Sequence, residues 1–260
     1  MEPPVDDLVE LLHEASSMLV TLLEDGVDAS VMIEPDGWSI RQAVVHLIAG
    51  TRMYAGCLRR ERSPIGDFRR HTLEAFNGGA WMALAERDSR VLGCLLEAGV
   101  SEMAASIPSQ EGDRGGIWHT GISMPTPFFL RTMLSEFLLH GFDIASALGR
   151  AWSPTDRIAG PASALFADVA PLVFRREKGD HHSGRYWFDA PPQPGWGFMI
   201  AYSGLTPIAA DEPVDCRVTG RPFQLMLWQS GRLNWEDSEL HASGPLRSAS
   251  ISLMECFHSL

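Results

Sequence analysis

PTPFFLRTMLSEFLLHGFDIASALGR, residues 125–150, decides how the rest of the chain is read. Phe129, Met133, Leu134, Phe137, Leu138, Ile144 and Leu148 recur at helical spacing, with no breaker between Pro127 and Gly141. That pattern is a long buried helix. Glu136, His140 and Asp143 interrupt the apolar run at offsets of four, three and seven residues. Those offsets place them on one face, about a turn apart. A buried carboxylate has to be paired, protonated or bound to a metal, and Glu-x-x-x-His on an apolar helix suits a metal.

Working outward, the preceding half of the chain supplies further helices. Residues 5–25 carry Leu8, Leu11, Leu12, Met18, Leu19 and Leu22 at amphipathic spacing. A turn at Pro35–Gly37 leads to Ser39, with Gln42 three residues on, which is a capping box opening a second helix. Ile40, Val44, Leu47 and Thr51 form its core stripe; His46 lies beside it, in line with Ala43, Gly50 and Met53. Small neighbours leave room beside the His46 ring for a metal or a substrate. The charged, Gly-rich segment 61–79 reads as a connection with one short helical turn, and a third helix is expected over Trp81–Ala98, stopping at Gly99. Residues 107–124 read as a long loop, which would put Trp118 and His119 over the mouth of a site.

Four helices in this order predict a four-helix bundle over residues 1–152, the type of scaffold that builds metal sites from inward-facing side chains. After GRAWSPT, residues 149–155, the texture changes. A helix over Pro161–Phe174, strands at Arg185–Asp189, Gly197–Tyr202, Asp215–Gly220 and Leu240–Ser243, a short helix in PFQLMLWQSG and a terminal helix over Leu246–Phe257 predict a small α+β domain over residues 153–260. The fold class is therefore α+β. His181 and His182 are adjacent, poorly placed to share a metal, and are expected in a solvated loop.

Composition narrows the partners. The 260 residues carry a formal charge of -12, with a pI near 5.1. That balance excludes a nucleic-acid backbone or an anionic membrane surface and favours a small molecule. No apolar run approaches the roughly 20 residues of a membrane span, and the N-terminus lacks signal-peptide features, so the expected location is cytoplasmic. Cys57, Cys94, Cys216 and Cys256 are widely spaced, with no C-x-x-C pair, and read as reduced, mostly buried thiols. Oligomeric state is not legible in the chain.

If His46 faces Glu136 and His140 across the bundle, two imidazoles and one carboxylate leave a coordination position open, a set that permits zinc or ferrous iron. Asp143 could orient an imidazole from behind or pair with an arginine.

GWSIRQAVVHLIAG, residues 37–50, and LRTMLSEFLLHGFDIASALGR, residues 130–150, resemble the two signatures of the DinB-like bundle proteins in their mycothiol-dependent maleylpyruvate isomerase branch. RVTGRPFQLMLWQSGRL, residues 217–233, is similar to a segment of that branch's sterol-carrier-like C-terminal domain. The resemblance implies Zn²⁺ held by His46, Glu136 and His140, with the thiol mycothiol as cosubstrate. Arg232 would grip a carboxylate of thiol or substrate. Loss of the thiol after bond rotation would give a cis–trans isomerase; its retention would give an S-transferase. The many aromatic side chains favour transfer onto a bulky apolar electrophile. Isomerisation of the maleylpyruvate type is the alternative, followed by a metal-independent binding protein or cyclase.

Overall fold

The computed structural model describes residues 3–24, 26–34, 37–66, 70–108 and 115–257. The chain divides into two compact units, Pro3–Ser153 and Pro154–Leu260.

The first unit opens with α1 (Val5–Leu23), a short antiparallel pair β1 (Met32–Ile33) and β2 (Trp38–Ser39), and α2 (Ile40–Leu58). The capping box forms as the sequence predicts: Gln42 N–H donates to Ser39 Oγ and Ser39 N–H to Gln42 Oε1. Gly37 sits at φ +69°; Pro35 and Asp36 of the expected turn lie outside the described residues. The stripe Ile40, Val44, Leu47 and Thr51 is fully buried.

Next comes α3 (Arg70–Ala83), where the sequence reading expected a connection. Gly78 and Gly79 each cost about 1 kcal/mol of helix propensity, so local preference argues against this helix. Tertiary contacts hold it instead. Trp81 Nε1 donates to Gln42 O at 3.0 Å, and the Arg41 guanidinium donates to the carbonyls of Trp81, Leu84 and Glu86, satisfying the open C-terminal end of α3. The expected helix over Trp81–Ala98 is consequently split. Residues 84–88 are non-helical, and α4 (Ser89–Ala105) starts at an Asp88 cap that accepts from Arg90 N–H at 2.9 Å. Gly99 does not stop α4: a Cβ there would lie 2.3 Å from Thr51 Oγ1, so glycine serves the close approach of α2 and α4.

A hairpin of β3 (Gly115–Ile117) and β4 (Ser123–Pro125) replaces much of the expected long loop; residues 109–114 lie outside the described residues. Then α5 (Thr126–Ala147) runs through the unit's centre. Phe128, Phe129, Leu134, Phe137 and Leu138 on it are fully buried. Each contributes on the order of 1.5–3 kcal/mol, enough together to hold a helix that also buries polar groups. Around the bundle the packing order is α1, α4, α2, α5 and back to α1, with α3 applied to the outside of α2.

The second unit begins with α6 (Asp156–Val173), five residues earlier than expected because Pro161 is accommodated inside the helix. After α7 (Arg176–Gly179) come β5 (Gly184–Asp189), β6 (Trp196–Ala201), β7 (Gly204–Pro207) and β8 (Cys216–Thr219), then α8 (Pro222–Gln229) and β9 (His241–Ser243). They form one sheet in the order β7-β6-β5-β8-β9, with β5 and β8 parallel and the other pairs antiparallel. The edge strand β7, too short and exposed to alternate, is an addition to the sequence reading. The C-terminal segment Arg247–Cys256 is a 3₁₀ helix rather than an α-helix, with Ser250, Leu253 and Cys256 inward. Tyr186, Phe188, Phe198, Cys216 and Val218 form the sheet's core. His182 is buried, correcting its expected place in a solvated loop; only its neighbour His181 is exposed. All four cysteines are free, and all but Cys94 are buried. No helix among the described residues is long and apolar enough to cross a membrane.

Candidate metal centre

The capping box fixes where α2 starts, and so turns position 46 toward α5. A close helix approach does the rest: a Cβ at Gly50, one turn beyond His46, would lie 3.3 Å from Met133 Sδ on α5. A larger residue at position 50 would push apart the helices that carry the site. In this arrangement His46 Nε2 lies 3.2 Å and His140 Nε2 3.4 Å from the same oxygen, Glu136 Oε2. The three ligand atoms fall within 4.8 Å of one another. His46, Glu136 and His140 are thus brought together across α2 and α5.

The far side of each imidazole is also held. His46 Nδ1 lies 2.9 Å from Asn77 Oδ1 on α3, and His140 Nδ1 lies 3.2 Å from Asp143 Oδ2. Asn77, Asp143 and His140 are all more than nine-tenths buried. An oxygen acceptor behind each ring places the single proton of a neutral imidazole on Nδ1, leaving both Nε2 lone pairs aimed at a carboxylate oxygen. Three lone-pair donors converging on one point repel unless a cation sits among them. Two nitrogens and an oxygen are a donor set that zinc or ferrous iron accepts, with a position to spare.

Electrostatics agree with this donor role. Burial, the largest effect, pushes the Glu136 carboxyl up, but with no cation present the protonated forms of His140 and His46, by hydrogen bonding and positive charge, outweigh it and hold the group well below the usual carboxylate range; a metal cation would take over that role for neutral rings. Glu136 is anionic throughout the neutral range. Aromatic rings wall the site: Trp38 stacks on His140 at 5.8 Å and 16°, lies 5.4 Å from His46, and meets Trp81 edge-on at 5.2 Å. The Glu136 side chain is 35% exposed against 10% for His140, so access is from the carboxylate side.

Trp118 and His119 are 5% and 4% exposed, so the connection between β3 and β4 that carries them packs into the core. His119 Nδ1 lies 2.8 Å from Ser63 Oγ, and burial lowers its pKa to about 4. Trp118 packs edge-on against Phe128 at 4.8 Å. The Tyr54 ring lies 5.9 Å from that of His119, and burial, opposed by the Trp118 indole and aided by the Glu136 charge, pushes the Tyr54 hydroxyl up. The Tyr54 ring links Trp118 and His119 to the charge of Glu136. Arg232 belongs to the second unit, where its backbone N–H donates to Leu227 O at 2.9 Å just after α8 and its side chain is half-buried. Asn77, Trp38 and Trp81 are site residues that the sequence reading did not single out. Burial also pushes the thiols of Cys57, Cys216 and Cys256 up to about 11, so none of these three is a ready nucleophile.

Fold and site together define a class: a helix bundle with a two-histidine, one-carboxylate centre, followed by a separate α+β unit. Residues 9–145 match the family described as the mycothiol maleylpyruvate isomerase N-terminal domain, and the chain belongs to that family. Two solved structures share the fold over 93% of this chain and of theirs at 15% identity: the crystal structure of the mycothiol-dependent maleylpyruvate isomerase, at a TM-score of 0.57, and that of a histidine-to-alanine mutant, at 0.55. No curated protein matches the chain.

Proposed function

We propose that this protein is a metal-dependent isomerase that uses mycothiol to convert a cis double bond in a small electrophilic acid to trans. The observation that carries the reading is the convergence of His46 Nε2, His140 Nε2 and Glu136 Oε2 with both Nδ1 atoms turned to acceptors. A zinc ion held by these three would supply a Lewis acid that lowers the pKa of a bound thiol toward neutrality. The chain's own residues do the rest. Glu136 balances the cation's charge, Asn77 and Asp143 hold the imidazoles, and Trp38 with Trp81 keeps water from the ring side.

The bond accounting closes without an oxidant or a reductant. The thiolate adds to one alkene carbon, the electron pair moves onto the conjugated carbonyl, the new single bond rotates, and the thiolate leaves as the trans alkene re-forms. No buried cysteine is needed as nucleophile. S-transfer to a bulky electrophile, the first choice from the sequence, shares the addition step and differs in keeping the thiol; family membership favours isomerisation.

The test is elemental analysis of tag-free protein, wild type against Glu136→Ala, alongside turnover of maleylpyruvate with mycothiol. About one zinc per chain is expected, lost together with turnover in the variant. Turnover that survives in a metal-free protein would overturn the reading.

A further inference from the structure

Beside the metal centre, a cleft of about 580 Å³ runs between α2 and α3. Its origin is in how the two helices are joined. Polar ties between them fall along one line: Arg41 to the carbonyls ending α3, Gln42 O to Trp81 Nε1, and His46 to Asn77. To one side of that line the facing positions are small, with Ala49 on α2 and Ala75, Gly79, Ala80 and Ala83 on α3. Helices packed on each other normally fill such a space with interdigitating side chains. Here the side chains are too short to meet, so the space stays open. Ile48 and Met53 add apolar surface from α2, Phe76 adds it from α3, and Pro64 lies at the edge.

Among the described residues lining the cleft, Arg52 is the one charged side chain, and it is exposed. An open apolar cleft with an arginine at its mouth has the composition of a site for an amphiphilic anion. We propose that the α2–α3 cleft binds the hydrocarbon body of an apolar carboxylic acid, with Arg52 pairing its carboxylate. The site is distinct from the metal centre, takes none of its ligands, and does not depend on the isomerase reading.

Gly79 gives a clean way to close the cleft, because a Cβ there meets no atom within 4 Å and a larger side chain can enter open space without displacing the helix. Titration calorimetry of the full-length protein with sodium decanoate and with decanol, on wild type, Arg52→Gln and Gly79→Leu, tests the proposal. Ala83→Leu is a second filling variant should Gly79→Leu lose helicity by circular dichroism. Wild type is expected to bind both probes. Arg52→Gln should weaken decanoate at least tenfold and leave decanol unchanged, and either filling variant should abolish both. Metal content, measured in parallel, should be the same in all variants, which separates this proposal from the fate of the metal reading. No decanoate binding to wild type, or binding unchanged by filling the cleft, would overturn it. Loss of decanoate and decanol alike in Arg52→Gln would overturn the assigned role of the arginine.

Discussion

At the scale of single residues, the unequal partners behind the two imidazoles carry a consequence. His140 is backed by the Asp143 carboxylate, on its own helix, and His46 by the Asn77 amide, contributed by another helix. Groups of this kind fix ring orientation and tautomer, and removing one typically costs 10–100-fold in metal affinity. Asn77→Leu, which keeps the volume and loses the acceptor, should therefore weaken zinc binding by about 10–100-fold in competition with a chromophoric chelator. Asn77→Asp, which keeps an acceptor oxygen, should retain most of it. Ring ¹⁵N shifts of metal-free protein supply a readout free of activity: His46 should move from Nδ1–H toward Nε2–H in the leucine variant alone. Unchanged tautomer and affinity would remove Asn77 from the centre. Glu136, His140 and Asp143 were legible together because their relation is local: on one helix, spacing is geometry. His46, on α2 and 90 residues from Glu136, was singled out by the small residues beside it and by the resemblance of residues 37–50. Asn77 was not, since its partner is 31 residues away in sequence and nothing in a helical period signals a tertiary hydrogen bond.

At the scale of elements, the long apolar helices were readable and the weak ones were not. α5 follows its hydrophobic period, and α2 starts at its capping box. By contrast α3 contains Asn77-Gly78-Gly79 and exists because Arg41 and Trp81 fasten it to α2, so a reading of local preference places a connection there. The β3–β4 hairpin was hidden for a similar reason: strands of three residues, Gly-Gly-Ile and Ser-Met-Pro, have no alternation to detect. What fastens that hairpin is titratable. His119, in the connection between β3 and β4, is buried and bonded to Ser63 Oγ, with its pKa lowered to about 4 from the ordinary 6.5. The unfolded chain then binds the proton more tightly than the folded one, so this contribution is complete above pH 6.5 and is lost as pH falls from 6.5 toward 4. The slope is about 1.4 kcal/mol per pH unit and the total on the order of 3 kcal/mol. Urea unfolding at stepped pH, wild type against His119→Gln, isolates it, because glutamine does not titrate and every other group is common to both. A wild-type slope preserved in the variant would show that His119 is not the group responsible.

At the scale of the whole molecule, the division into two units decides where ligand energy goes. The three candidate ligand residues and both groups behind the imidazoles lie within Pro3–Ser153, while Arg232 and the five-stranded sheet lie within Pro154–Leu260. Binding to the native state stabilises by RT ln(1 + [L]/Kd), about 4 kcal/mol at a thousandfold excess over Kd, and that energy protects the elements that open when the ligand leaves. For a site built from α2 and α5 those elements are the bundle helices, which are packed on one another, and not β5–β9. Amide hydrogen exchange on the full-length protein should therefore show zinc slowing exchange in α2 and α5, by up to the full linkage energy, while strands β5 and β8 exchange at the same rate with and without metal. Equal protection of the sheet would mean that the two units open as one cooperative body, and the metal centre would then have to be understood as a property of the entire chain.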